Sequence, residues 1–370
     1  MIYLDNAATT FPKPTRVRDE VNRCLRDYCG NPGRGSHPLA LAAAERIYLC
    51  REALSDLFGV GAPERIVFLQ NTTHALNLAI KGHLHEGDHV LISELEHNAV
   101  RRPLLSMAAK RQITLDVFPV VGLSHGQLLQ ELESRITPAT RAVVCTHASN
   151  ICSIILPIGK IGALCRRLGL LFIVDAAQSA GILPIDMQKM CIDALAAPAH
   201  KSLYGIQGCG ILALGEGVLP VPLFEGGSGV DSLSGEMPAE PPERYEAGTL
   251  QTPAIAGLLE GVRSLPRDDS ILAHERTLFR LARERLTSLP NVTLYAPDRE
   301  GAVLLFSKAD VPSVEVGAQL AKSGICVRAG LHCAPMAHRA LGTPKGGAVR
   351  VSFGRYNKRD DLDALWRALK

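Results

Sequence analysis

Over its first 215 residues the chain alternates between two hydrophobic patterns. Short, mostly apolar runs stand at 66–69, 89–93, 114–118, 142–147, 171–175, 193–197 and 209–214. Between them, stretches at 40–58, 73–83, 99–111, 126–135 and 158–167 carry apolar residues at helical spacing. Apolar runs this short predict strands buried on both faces, and their alternation with helices predicts βαβ units and a largely parallel sheet. Such sheets bind ligands beyond the carboxyl ends of their strands, so chemistry is expected in the polar residues that follow each run.

From about 220 to 248 the pattern breaks into a Gly- and Pro-rich stretch that includes LFEGGSGVDSLSGEMPAEPPERYEAGT. Its length suits an active-site or interface loop better than a plain connector. A helix-rich segment follows through 289. Strand patterns at 302–307, 325–328 and 348–353, with a helix at 314–323, then read as a smaller α+β domain. No internal repeat or low-complexity segment interrupts this order.

Length and composition narrow the classes. A chain of 370 residues with 46% hydrophobic and 21% charged residues suggests about two domains with a core that needs no staple. The formal charge of +3, with Lys and Arg scattered singly, gives no case for nucleic acid or an anionic membrane. No apolar run approaches the roughly 20 residues of a membrane helix. MIYLDNAATTFPKP lacks a basic segment followed by an apolar one, so it does not read as a signal peptide, and a cytoplasmic location is expected. The ten cysteines include no C-x-x-C pair. Cys50 and Cys165 fall in helical patterns and Cys145 and Cys209 in strand patterns, so most cysteines read as small buried hydrophobes in a reducing compartment, with no metal site expected.

Three strand ends carry unusual polar groups. The run at 171–175 ends in DAAQS, which puts Asp175 and Gln178 at a strand terminus. The run at 193–197 leads through PAHK to His200 and Lys201, and IVFLQ leads into NTTHALNLAI, which puts Thr72 and Thr73 at a helix N-terminus suited to an anion. GIQGCG precedes a strand instead of opening a helix, so it reads as a turn and not a nucleotide loop. Singly, a strand-end Asp is more often a helix cap and a lone Lys a solvated group. Together, a lysine for a Schiff base, a carboxylate for a ring nitrogen and a phosphate cup suit pyridoxal phosphate.

The segments YLDNAATT, NTTHALN, SELEHNAV, THASN, DAAQS, HKSLYGIQGCGIL, RYEAGT, VRAGLHCAPMAHRALG and VRVSFGRYN follow the order found in cysteine desulfurases. From about Tyr3 to Asp363 the chain resembles the cysteine desulfurase and selenocysteine lyase branch of the class V aminotransferase-like, fold-type I enzymes. The resemblance implies an α/β fold with a mostly parallel seven-stranded sheet in a large cofactor domain, 13–262, and a small domain of 1–12 and 263–370 that carries the catalytic cysteine. It implies Lys201 as the Schiff-base lysine and His97 stacked on the cofactor ring, where it could also shuttle protons. Asp175 would pair with the ring nitrogen, and Gln178 and Asn150 would lie near the phenolic oxygen. Thr72, Thr73 and His200 would serve the phosphate, with Thr249 completing the cup from the neighbouring subunit of a homodimer. Arg350 would fork the substrate carboxylate, with Arg328 and Asn150 also at the substrate. One position departs from the family: where it usually has a hydroxyl residue, Pro198 offers neither hydroxyl nor backbone donor, so a weaker phosphate cup or compensation by Thr72 is expected.

Cys333 lies in VRAGLHCAPMAHRALG, between Gly330 and Pro335, a setting that predicts a loop. His332 and Arg328 are expected to favour its thiolate, the nucleophilic form. The local sequence alone leaves an incidental loop cysteine equally open. The resemblance makes Cys333 the acceptor of sulfur from L-cysteine, with L-alanine released, and its compact loop implies a dedicated acceptor protein. The alternatives are a selenocysteine lyase, another pyridoxal-phosphate lyase or aminotransferase, and a cofactor-binding scaffold.

Overall fold

The computed structural model describes residues 1–370 apart from Arg34, Asp231 and Pro297. A short strand β1 (Ile2–Tyr3) and helices α1 (Thr15–Arg23) and α2 (Pro38–Phe58) come first. Then β2 (Ile66–Leu69), α3 (Thr72–Lys81), β3 (Asp88–Ser93), α4 (Asn98–Ala109), β4 (Ile113–Phe118), α5 (His125–Glu133), β5 (Thr140–Thr146), α6 (Ile158–Leu168) and β6 (Leu171–Asp175) alternate. They are followed by β7 (Ala194–Pro198) and β8 (Gly210–Leu214).

All seven apolar runs read from the sequence become strands of one sheet, in the order β2-β8-β7-β6-β5-β3-β4. The pairs from β4 through β7 are parallel, while β8 runs antiparallel to both β7 and β2. Side chains alternate across the sheet: Val143 and Cys145 of β5 enter one apolar cluster with Phe58 and Phe172, and Ala142 and Val144 enter another with Leu76 and Val100. Edge strand β4 instead exposes Thr114, Asp116 and Val117, and the charge discourages pairing with another sheet. Cys50, Cys145, Cys165 and Cys209 are buried and free, as their settings suggested.

No helix or strand forms between Leu214 and Thr252 among the described residues. Helices α7 (Thr252–Arg263) and α8 (Ser270–Thr287) lead to β9 (Val292–Tyr295), β10 (Val303–Lys308), α9 (Ser313–Lys322), β11 (Ile325–Cys326), β12 (Arg328–Gly330), α10 (Pro335–Ala340), β13 (Ala348–Ser352) and α11 (Arg359–Leu369). A four-stranded antiparallel sheet, β12-β13-β10-β9, packs Leu304, Phe306, Val349 and Val351 with Phe279 and Leu365 of the flanking helices. The single strand expected at 325–328 is divided. β1, which had no local signal, pairs with Ile325–Cys326, while Arg328 stands opposite Arg350 in the other sheet. No described helix is long and apolar enough to cross a membrane.

Candidate active site

Five strand ends of the large sheet open on one cavity of about 220 Å³. β6 delivers Asp175, and β7 continues through Pro198 to His200 and Lys201. β3 leads to His97, β5 to Asn150, and β2 to Thr72 and Thr73 at the start of α3. The smaller sheet closes the cavity with Arg350 from β13, Arg328 from β12 and Cys333 from the loop before α10. Gln178 lines it as well. Residues from Thr72 to Arg350 are thus gathered by the ends of two sheets, where the parallel topology places a ligand.

The α3 terminus is built for an anion. The Asn71 side chain caps the helix, accepting from the His74 amide at 2.9 Å. Gly210 is required there: a Cβ on it would stand 2.2 Å from the Asn71 carbonyl carbon. The preceding GIQGCG segment is a turn, with Gly208 at φ 91°. Thr72 Oγ1 and His200 Nδ1 are buried with no hydrogen-bond partner. Two orphaned polar atoms beside a helix N-terminus, on the cavity that holds Lys201 and Asp175, fit the phosphate and ring of pyridoxal phosphate.

Burial sets the charges. It pushes Lys201 down to about 8, aided by Arg350 and Arg328 and opposed by Asp175 and Asp5. Asp175 is pushed up by burial, against the Ala177 amide that donates to it at 2.9 Å and the Lys201 charge. Burial, then the cations Lys201 and Arg350, lower His97 to about 4, so its ring is neutral near pH 7. Its Nδ1 accepts from the Ala99 amide at 3.1 Å and so caps α4.

Arg350 is 2% exposed, which excludes a surface role. Its Nη2 donates to Asp5 at 2.6 Å and its Nη1 to the Asn150 carbonyl at 3.0 Å, leaving Nε without a partner. The side-chain amides of Asn150 and Gln178 donate to the carbonyls of His332 (2.8 Å) and Ala7 (3.0 Å). Asp5 was given no role by the sequence reading, because its partner lies 345 residues away. The same is true of the N-terminal arm: Thr9, Thr10 and Lys13 all donate to the His200 carbonyl, and Thr10 also to that of Lys201. Glu96 was missed as well. Wholly buried beside His97, it accepts from the Thr146 amide and from Ser93, and burial raises it to about 8.

Cys333 is exposed. It follows His332 in a turn where both residues are left-handed, φ 50° and 58°. Each such non-glycine residue costs on the order of 1 kcal/mol and persists only when its surroundings hold it. Asn150 holds the His332 carbonyl, and the Asn98 amide holds that of Cys333 at 2.7 Å. His332, expected with Arg328 to favour the thiolate, brings no charge to the turn: burial, with Arg350 nearby, drives this ring down to about 3 and keeps it neutral. Arg328 supplies the positive charge on that wall.

A model of the Aminotransferase class-V family matches residues 2–365. The chain belongs to that family. Its relatives include a cysteine desulfurase of Salmonella agona, 33% identical over 99% of this chain and 91% of that one, and a probable cysteine desulfurase of Halalkalibacterium halodurans, 32% identical over 100% and 92%. It spans only 55% and 61% of the probable cysteine desulfurases of Mycolicibacterium paratuberculosis and Mycobacterium leprae, to which it is 34% and 35% identical. Among solved structures, the apo cysteine desulfurase of Thermococcus onnurineus NA1 superposes with a TM-score of 0.91 at 30% identity, covering 100% of this chain and 93% of that one. The S-sulfonic acid form of the Escherichia coli cysteine desulfurase CsdA gives 0.88 at 29% identity, covering 99% and 93%.

In this class-V chain Thr249 lies away from the Lys201 cavity. It lines a larger one, about 590 Å³, between α2 and the irregular stretch after β8. The charged pair buried there, Arg51 and Glu246 at 2.6 Å, is already mutually satisfied, and Glu246 also accepts from the Phe68 amide. That larger space therefore presents no comparable set of orphaned groups beside a lysine.

Proposed function

We propose that this class-V enzyme is a cysteine desulfurase, using pyridoxal phosphate to move sulfur from L-cysteine onto Cys333 and release L-alanine. One observation carries the reading: an exposed cysteine is pinned in a strained turn on the same cavity as a half-buried lysine and a buried carboxylate. Lys201 would hold the cofactor, Asp175 its ring nitrogen, His97 its face, and Thr72, Thr73 and His200 its phosphate, with Asn150 and Gln178 at its phenolic edge. When bound, the cofactor supplies an electron sink for the substrate's Cα. A depressed lysine pKa keeps free amine available near neutral pH. Arg350 would bind the substrate carboxylate through its unpartnered Nε, and Arg328 would add charge at the mouth. The Cys333 thiolate would take the sulfur as a persulfide. No feature of the site favours selenocysteine.

Residues 13–262 would form the unit that holds the cofactor, and 1–12 with 263–370 the unit that carries Cys333. A homodimer is supported by the apolar residues exposed after β8, among them Leu219, Val221, Phe224 and Leu233, and by Thr249 lying off its own cavity. The tethered Cys333 turn supports a separate acceptor protein that collects the sulfur at the surface, in the cytoplasm.

The test is alanine and sulfide production from L-cysteine with cofactor and reductant, in wild type and Cys333→Ala. Both products from wild type, and neither from a variant that retains the cofactor's visible band, are expected. Equal output from the two proteins would remove Cys333 from the reaction and with it the desulfurase reading.

A further inference from the structure

The two rings of His332 and His338 are joined end to end. Their nitrogens, Nδ1 of His332 and Nε2 of His338, are 3.0 Å apart, while the ring centroids are 5.3 Å apart and the planes differ by 13°. That separation belongs to an in-plane N–H···N bond, not to a face-to-face stack. His332 Nε2 faces the Arg328 carbonyl at 3.1 Å. A carbonyl only accepts, so this nitrogen carries the proton and Nδ1 is bare. His338 must then donate through Nε2, which leaves its own Nδ1 bare to accept from the Thr343 hydroxyl at 2.8 Å, a closer partner for that single proton than the His338 carbonyl at 3.2 Å. Every donor in the chain therefore points the same way, from Thr343 through both rings to the Arg328 carbonyl.

His338 is 2% exposed and His332 7%, and burial keeps both neutral. Neither nitrogen of His332 is free to take a proton from the adjacent thiol, so the pair does not form a base for Cys333. What it fixes is orientation. His332 and Cys333 occupy consecutive left-handed conformations, and the turn is anchored at the His332 carbonyl, the Cys333 carbonyl and the His332 ring. The Arg328 carbonyl sets the tautomer of that ring, and the His338 donor holds its other nitrogen, so the ring is pinned at both ends.

We propose that His338, itself held by Thr343, is a positioning residue for sulfur transfer: it locks the His332 ring and thereby the turn that presents Cys333 to the cavity. The proposal rests on the desulfurase reading of Cys333 for its catalytic consequence, but the locking can be measured without it.

The experiment uses holoenzyme variants His338→Leu, His338→Gln and Thr343→Val. Gln retains an N–H that can reach His332, Leu does not, and Val removes only the far donor. Single-turnover persulfide formation on Cys333 is expected to slow about 10- to 100-fold in His338→Leu, the size of loss that loose positioning produces, while the spectral change on mixing with L-cysteine keeps its rate. His338→Gln should recover to within about threefold of wild type, and Thr343→Val should fall between the two. Transfer at the wild-type rate in His338→Leu, or an equal loss in His338→Gln, overturns the proposal. If the Leu variant does not fold, an unimpaired Thr343→Val does the same. Hydrogen exchange gives the separate readout: in His338→Leu, segments 328–336 and 96–99 should exchange faster, because the Asn98 amide is bonded to Cys333, and Gln should restore protection. Unchanged exchange overturns the locking, whereas wild type that makes no persulfide yet shows this pattern overturns only the activity.

Discussion

Arg350 and Asp5, 345 residues apart in sequence, meet at 2.6 Å on the wall of the Lys201 cavity. The pair fixes a buried guanidinium with one edge satisfied and Nε left over. Burial lowers the Arg350 pKa and Asp5 opposes that shift, so the carboxylate is what makes a charge tolerable there.

Asp5→Ala should strand that charge. Removing one partner of a buried pair costs about 3–5 kcal/mol. Denaturant unfolding should report a loss of that size, with Asp5→Asn losing less. Arg350→Lys should leave the cofactor's visible band intact and raise KM for L-cysteine at least about tenfold, since an ammonium cannot hold Asp5 and the Asn150 carbonyl and still offer a fixed third donor to the substrate. An unchanged KM would detach Arg350 from the substrate.

Lys201 supplies a second prediction. Only the free amine captures the cofactor aldehyde. At pH 8 a lysine with the ordinary value of 10.5 is ~0.3% free, whereas one lowered to about 8 is about half free. Cofactor capture by apoprotein, followed by absorbance, should rise with pH and level off above about 8. A rate still climbing tenfold per pH unit at about pH 9.5 would contradict the lowered value.

Pro198 ends β7 beside the orphaned Thr72 hydroxyl and His200 imidazole. If these groups hold the phosphate, Thr72→Val should weaken cofactor binding about tenfold, the worth of one hydrogen bond to a charged group. Pro198→Ser should tighten it by a similar factor. Fluorescence titration of apoprotein measures both, and unchanged affinity in Thr72→Val would place the phosphate elsewhere.

Stability should peak near pH 6.5. Burial lowers His97, His147, His200 and His338 to about 4 and His332 to about 3, so between about 4 and 6.5 the unfolded chain holds more protons and stability rises with pH. Glu96 and Glu275 are raised to about 8 from 4.5, so across that window the folded chain holds more protons and stability falls as pH rises. Five histidines outweigh two acids below 6.5, and from there towards 8 the acids outweigh Lys13 and Lys201, whose lowered values of about 8 act in the opposite sense only near the top of that range. Apoprotein unfolding at several pH values should show this maximum. Glu275→Gln should flatten the alkaline side, and an unaltered slope would remove Glu275 from the balance.

Much of the sheet was legible because a strand buried on both faces must be apolar throughout, and β2, β7 and β8 are. The residues that follow those strands were legible for the same reason: Asp175 and Lys201 interrupt apolar runs at a point where the topology puts ligands. What could not be read were groups whose meaning lies in a distant partner. Asp5 looks like an ordinary acid until Arg350 arrives, and β1 is two residues long with no period to detect. Glu96 differs from a surface glutamate only through its burial. The neutrality of His332 was hidden in the same way, since sequence names a titratable ring but not the solvent it has lost.

The N-terminal arm has a consequence in time. Its bonds to Lys201's peptide, to Arg350 and to β11 join the first dozen residues to positions near 200, 350 and 325. On a ribosome adding about 5–20 residues each second, the arm waits on the order of tens of seconds for its last partner. The large sheet has its seven strands by Leu214, well before that. The pocket is therefore completed well after the large sheet, and a nascent chain that stops short of Arg350 would carry a finished sheet and an unfinished site.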